Sequence, residues 1–219
     1  MREGFTDELE ELRIQVEVMA LRVDANLTRM REVLDTGDED LAREAVAADD
    51  EIDAMDLSLT ERCYDLLTLE SPVAGDLRLV VSIVRMLSEL ERVGDLSLRV
   101  VKLAPEHDVL LVDEEIHGLV VSLADAAVNT FHRALDSWAR RDLDLATVIV
   151  EQGTPWSETV DQIVAALLRL EGPDAGRRAV RTMQAVQSLD RIADHGRVIA
   201  ARIRYLLTGD PAHLATEVR

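Results

Sequence analysis

From Leu9 onward the apolar positions fall at Leu12, Val16, Met19, Val23, Leu27, Met30 and Leu34. Steps of three and four keep these side chains on one stripe of a helix, so the spacing predicts a long first helix. Thr36-Gly37-Asp38 reads as a helix stop followed by a new cap. A second stripe runs through Leu41, Ala45, Ala48, Ile52, Met55, Leu59 and Leu66, until Ser71-Pro72-Val73-Ala74-Gly75 breaks it. A third holds Val80, Ile83, Leu87, Leu90, Val93, Ser97 and Val100, with Pro105 just beyond. The pattern restarts near Asp113 with Ile116, Val120, Leu123, Ala127, Phe131 and Leu135, up to about Arg140. A fifth stripe begins near Asp142 and carries Leu145, Val148, Ile149, Val160, Val164 and Leu167. Gly153-Thr154-Pro155 interrupts it, and proline there kinks or restarts the helix. A sixth holds Val180, Met183, Val186, Leu189, Ile192, Ile199, Ile203 and Leu206, stops at Gly209-Asp210-Pro211, and leaves a tail expected to fray. No segment alternates as a strand would. The expected fold is all-α, six helices in two sets of three.

The two sets match in detail. Pro72-Val73-Ala74-Gly75 corresponds to Pro173-Asp174-Ala175-Gly176, and Asp38-Glu39-Asp40-Leu41-Ala42 to Asp142-Leu143-Asp144-Leu145-Ala146. Glu91-Arg92-Val93-Gly94-Asp95 returns as Asp190-Arg191-Ile192-Ala193-Asp194. Agreement in order at three places implies a tandem duplication of an antiparallel three-helix bundle, divided as residues 1–106 and 107–219.

Composition narrows the class of function. Apolar residues make up 47% of the 219 but aromatics only 3%, which suits aliphatic helix packing. A net charge of −19 speaks against nucleic acid and against an anionic membrane surface, leaving cations or a basic protein patch as partners. Lys102 is the only lysine among 24 basic residues, a bias expected from GC-rich codon usage, with salt adaptation as the alternative that also accounts for the acidity. Cys63 stands alone among leucines, so no disulfide forms within the chain and a core thiol is expected. Without a signal-peptide pattern or a membrane-length apolar run, the expectation is a soluble, cytoplasmic protein with no membrane insertion.

Candidate chemistry rests on carboxylates. Asp49 and Asp53, Glu91 and Asp95, and Asp190 and Asp194 are each four residues apart, one turn along a helix face. Asp161, with Ser157 four before it, takes the place of the first pair in the second repeat. Asp49, Asp53, Glu91, Asp161, Asp190 and Asp194 each directly follow a residue of the inward stripe, which sets them at the border of the core. Antiparallel second and third helices would then bring Asp49, Asp53, Glu91 and Asp95 together along a groove. One such pair alone is a common solvated face, and Arg92 and Arg191 alone are ordinary surface ion-pair formers. Repetition in one register favours a cation site, and oxygen-only donors suit magnesium, calcium, manganese or iron better than a structural zinc site. Gly94 and Ala193 allow close approach of a backbone or ligand. His195 is expected to be an ordinary surface histidine, and Trp138 and Trp156 to pack at helix ends. No Glu-x-x-His motif of the bundled di-iron type, repeated on two helices, occurs, nor does a Walker loop, dinucleotide fingerprint or nucleophile elbow.

On Asp49 to Asp53 with Ile52, on Pro72-Val73-Ala74-Gly75-Asp76-Leu77-Arg78, on both acid-Arg-aliphatic-small-acid motifs and on Tyr205-Leu206-Leu207-Thr208-Gly209, the sequence resembles the PhoU family of phosphate-signalling regulators. The resemblance covers nearly the whole chain. It implies a duplicated three-helix bundle, often a homodimer, with metal ions or clusters (iron, zinc, manganese or magnesium) at the acid motifs. It also implies negative control of the phosphate-starvation response, linking a phosphate ABC transporter and its ATPase to a sensor histidine kinase. Carried over, the first site would use Asp49, Asp53, Glu91 and Asp95, and the second Asp161, Asp190 and Asp194, with Arg92 and Arg191 beside the ligands or facing partners. Ser157 stands where the family usually has an acid, and Asp190 replaces the commoner Glu, so the second site is expected to be the weaker. The expected protein is not an enzyme. A metal-dependent phosphohydrolase and a metal-free helical adaptor are the alternatives.

Overall fold

In the computed structural model, which describes residues 2–110 and 113–218, the helices begin with α1 (Arg2–Thr36), α2 (Glu39–Leu69) and α3 (Ala74–Val101). A 3₁₀ turn at Ala104–Glu106 and a short α4 (His107–Leu110) lead into the second half. There α5 (Glu114–Arg140), α6 (Leu143–Glu151), α7 (Ser157–Leu167) and α8 (Ala175–Thr208) follow, then a 3₁₀ segment, Pro211–Val218. No strand forms among the described residues. The all-α expectation holds, and the six apolar stripes are all helical. The Gly153-Thr154-Pro155 break separates α6 from α7 completely, and Pro211–Val218 packs back on α8 instead of fraying.

Local chemistry sets the helix ends. Asp38 caps α2 by accepting from the Asp40 and Leu41 amides, and Asp113 and Asp142 cap α5 and α6 through the Ile116 and Leu145 amides. Gly37, at φ +70°, closes α1 with its amide on the Val33 carbonyl, 2.8 Å away. Gly209 ends α8 at φ +74°, where a Cβ would lie 2.6 Å from an Arg78 guanidinium nitrogen. That contact joins two of the motifs on which the family resemblance rests, with a cation at the negative end of a helix.

Helices α1, α3, α5 and α8 pack together in the middle of the molecule; α2 covers α1 and α3 on one side, while α6 and α7 cover α5 and α8 on the other. Both sets are thus present, the second with its middle helix split into α6 and α7, and one continuous apolar core runs through both. Polar contacts cross between the sets. Arg31 on α1 pairs with Asp125 on α5 at 2.5 Å, and His117 on α5 lies 3.3 Å from Asp35 on α1. His107 is buried with Nε2 3.2 Å from the Leu34 carbonyl oxygen. Within the first set, buried Asn26 donates to the Ala45 carbonyl and ties α1 to α2.

The expected inward positions of the first, third and fourth stripes are buried. Cys63 is buried too, and loss of solvent pushes its thiol up to about 12. Three positions depart: Val148, Val164 and Val180 are exposed. The first two flank the α6–α7 break, which shifts the helical register, and Val180 lies in the first turns of α8, ahead of its deeply packed middle.

Gly196 of α8 packs directly against the α5 backbone, where a Cβ would stand 3.1 Å from the Phe131 amide nitrogen and 3.2 Å from its Cα. Backbone cannot retreat as a side-chain tip can. Gly196→Val is therefore expected to destabilise the protein by about 2–4 kcal/mol in urea unfolding, from overpacking. Gly118→Ala on the exposed face of α5, where a Cβ meets nothing within 4 Å, should gain about 0.5–1 kcal/mol. Equal effects at the two glycines would refute this account of the α5–α8 contact.

Candidate functional site

The α2–α3 contact brings the first set of acids together. Asp49 on α2 is 9% exposed, deeper than the border position expected from its register. Its room comes from Gly94 of α3: a Cβ there would lie 3.3 Å from Asp49 Oδ1 and 3.9 Å from Ile52. The small residue inside the acid-Arg-aliphatic-small-acid motif therefore admits a carboxylate from the neighbouring helix. Glu91 is half-buried on α3, and Asp53 and Asp95 are exposed at the rim.

Burial and mutual repulsion raise the proton affinity of this groove. The Asp49 carboxyl is pushed up to about 6, first by loss of solvent, then by the charges of Asp53 and Asp95, with Lys102 opposing. Glu91 is raised by burial and by Asp95, Asp56 and Asp53, with Arg92 opposing. Asp56 is raised by burial and by Asp53. Asp56 belongs to the cluster although the four-residue spacing misses it. It follows the inward residue Met55, the same register that singles out the other acids, so that rule applied to every acid of α2 would have found it.

The donors are carboxylate oxygens, which suit a hard cation: Asp49, Asp53, Asp56, Glu91 and Asp95 are coupled electrostatically across α2 and α3. They are not drawn to a point: among the described residues, no three His, Cys, Asp or Glu side chains are placed to hold a metal ion.

The second set is arranged differently. Asp190 accepts from the indole nitrogen of buried Trp156 at 2.7 Å, so a neutral donor already occupies that carboxylate. Asp194 is exposed and accepts from Arg197 at 3.2 Å. Asp161 is exposed on α7, and Ser157 is the first residue of that helix. The wall that α2 supplies in the first set is thus interrupted at the equivalent place by the α6–α7 break, and Trp156 fills it. Trp156 does sit at a helix end, as expected; its bond to Asp190 carried no sequence signal.

The flanking residues also have places. Arg92 is exposed, 3.8 Å from Glu89, while Arg191 lines a cleft between α3 and α8. His195 is not an ordinary surface histidine: its Nδ1 lies 2.5 Å from Glu89 Oε2, both side chains largely buried, linking α8 to α3. Glu89 lies in a helix of its own repeat, 106 residues away in sequence, so spacing could not pair them. Among the described residues, no helix is long and apolar enough to cross a membrane.

Comparison with known proteins identifies the family and the fold. The family model for the PhoU domain matches twice, at residues 16–104 and 120–203. The chain is 32% identical to the phosphate-specific transport system accessory protein PhoU homolog of Pseudomonas aeruginosa, covering 96% of this chain and 88% of that protein. It is 27% identical to the PhoU homolog 2 of Mycobacterium tuberculosis, covering 95% and 99%. The crystal structure of PhoU from Pseudomonas aeruginosa superposes with a TM-score of 0.88, at 29% identity, over 94% of this chain and 100% of that one. The chain belongs to the PhoU family.

Proposed function

We propose that this protein is a non-enzymatic regulator of phosphate transport, holding phosphate-uptake genes down when phosphate is plentiful. The observation that carries the reading is whole-length similarity to relatives named as phosphate-specific transport accessory proteins, with the PhoU domain matched in both halves. In that role its output is contact with partners: a sensor histidine kinase on one side and the ATPase of a phosphate ABC transporter on the other, from the cytoplasm and as a homodimer. The relatives bear the names of accessory proteins and not of enzymes, which supports this over phosphate-ester hydrolysis.

The first acid groove would take a divalent or transition metal ion through Asp49, Asp53, Glu91 and Asp95, joined by Asp56. A bound cation would supply fixed positive charge, neutralising repulsion that Lys102 opposes at Asp49 and Arg92 at Glu91. Asp190, already bonded to Trp156, is the less available ligand.

Two experiments test these readings. Deleting the gene should raise expression of phosphate-uptake genes in phosphate-rich medium, and complementation should restore repression. Unchanged expression in a strain without a second copy would sink the regulatory reading. For the groove, Asp49 has a folded pKa of about 6, raised above its ordinary 3.8. Its charge therefore weakens the fold progressively as pH rises from about 4 to 6, and by a constant amount above that. With a chelator present, Asp49→Asn should be about 1–2 kcal/mol more stable than the parent at pH 8 and indistinguishable from it at pH 4. Excess manganese or magnesium at pH 8 should stabilise the parent and not the variant. A parent chain whose unfolding midpoint ignores both ions would exclude their binding at this groove.

A further inference from the structure

A second feature has the opposite charge. Between the C-terminal part of α3 and the N-terminal half of α8 lies a cleft of about 470 Å³. Its cations are Arg99 and Lys102 from α3, and Arg181 and Arg191 from α8. The one carboxylate on its wall is Glu106, so four cations against one acid leave three positive charges. Glu106 is itself engaged, by Arg181 at 2.8 Å and by Arg177 at 2.8 Å. Those guanidinium bonds hold its carboxyl below the usual range. Arg99 and Arg191 have no ion-pair or hydrogen-bond partner among the described residues.

In a chain of net charge −19, unpaired cations facing one cavity need a reason. Arg99 and Lys102 could simply complement the negative end of α3. That does not apply to Arg181 and Arg191, which lie within α8, far from its last turn at Thr208. Their spacing, with Gln184 and Gln187 between, puts them on the cleft-facing stripe of the helix. Gln184 accepts from Arg181 through its carbonyl oxygen at 2.9 Å, which leaves its amide NH₂ as a donor. The polar wall is thus rich in donors.

We propose that this cleft binds a small polyanion of the oligophosphate class. The three positive charges call for a ligand with three or more negative ones, and arginine forks match the paired oxygens of phosphate groups. The volume lies within the range of small-molecule sites and exceeds what a single inorganic phosphate fills. Because α3 belongs to the first repeat and α8 to the second, the ligand bridges the repeats. The inference rests on this cleft alone, so it can fail while the regulatory reading and the cation groove stand.

The test is calorimetric titration of the full chain, with chelator present to keep metals out of the acid groove. Tripolyphosphate, ATP and sulfate serve as separate ligands. The expected result is one saturable site per chain for tripolyphosphate or ATP, with sulfate at least about tenfold weaker. Arg99→Gln together with Arg191→Gln should weaken binding on the order of a hundredfold, because two charged donors are lost. Both side chains are exposed, and unchanged thermal unfolding would verify that the variant folds. Arg169→Gln, an exposed arginine elsewhere, should bind as the parent does. Tighter binding of ATP than of tripolyphosphate would support the class and assign the source to nucleotides; the reverse order would support it and assign an inorganic chain. Absence of saturable binding, equal affinity in the double variant, or sulfate binding as tightly as tripolyphosphate would each overturn the proposal.

Discussion

Close approach of helix backbones is the constraint on which the rest of this molecule depends. With aromatics at only 3%, the core is filled by aliphatic side chains, which reach little distance and require the helix axes to lie near one another. Gly196 against Phe131 joins α8 to α5, and fully buried Ala193 lies one turn earlier on the same helix. Gly94 plays the corresponding part between α3 and α2. There the space vacated by a side chain is entered by a carboxylate, Asp49, beside Ile52. The acid groove is therefore a consequence of how the helices pack, and its electrostatics follow from the depth at which packing sets Asp49.

The two repeats use the same motif to different ends. In the first, Asp49, Asp56 and Glu91 are each raised by burial and then by neighbouring carboxylates, Asp53 in all three cases and Asp95 for Asp49 and Glu91, a condition a cation would relieve. In the second, the long helix that would form the facing wall is broken at Gly153-Thr154-Pro155, and Trp156 donates to Asp190 from the resulting corner. A neutral N–H donor satisfies one carboxylate oxygen without adding charge. One substitution of backbone path thus changes a repulsive acid pair into a hydrogen-bonded one.

Much of this was legible in the sequence, and the remainder was not for identifiable reasons. Helix order and duplication follow from periodicity, because a 3.6-residue repeat over thirty residues admits few other readings, whereas the short α4 and the full separation of α6 from α7 do not. The acids of the first groove follow from register plus antiparallel connection. Asp56 escaped only because spacing was used as the criterion where register was the better one. Val148, Val164 and Val180 escaped because an apolar pattern does not say which helix arrives to cover it, and a break resets the phase. The Glu89–His195 and Trp156–Asp190 bonds are tertiary events between elements distant in sequence, with no local pattern to announce them.

Lys102 makes the acid groove and the basic cleft parts of one electrostatic system. It lines the cleft, and it is also the cation that lowers the proton affinity of Asp49. An anion held in the cleft offsets the charge of Lys102 and makes the potential at Asp49 more negative. If both proposed sites are filled, that change would favour a cation in the groove, and by linkage a cation in the groove would favour the anion by the same factor. The coupling needs no movement of either helix, only Coulomb interaction through a partly buried region where the effective dielectric is well below that of water. Its magnitude falls as salt screens the exposed end of the path, since Lys102 itself is solvent-exposed. The chain's single lysine stands just past the end of α3, between groove and cleft, and would give this acidic molecule a direct electrostatic route between the two proposed sites of opposite sign.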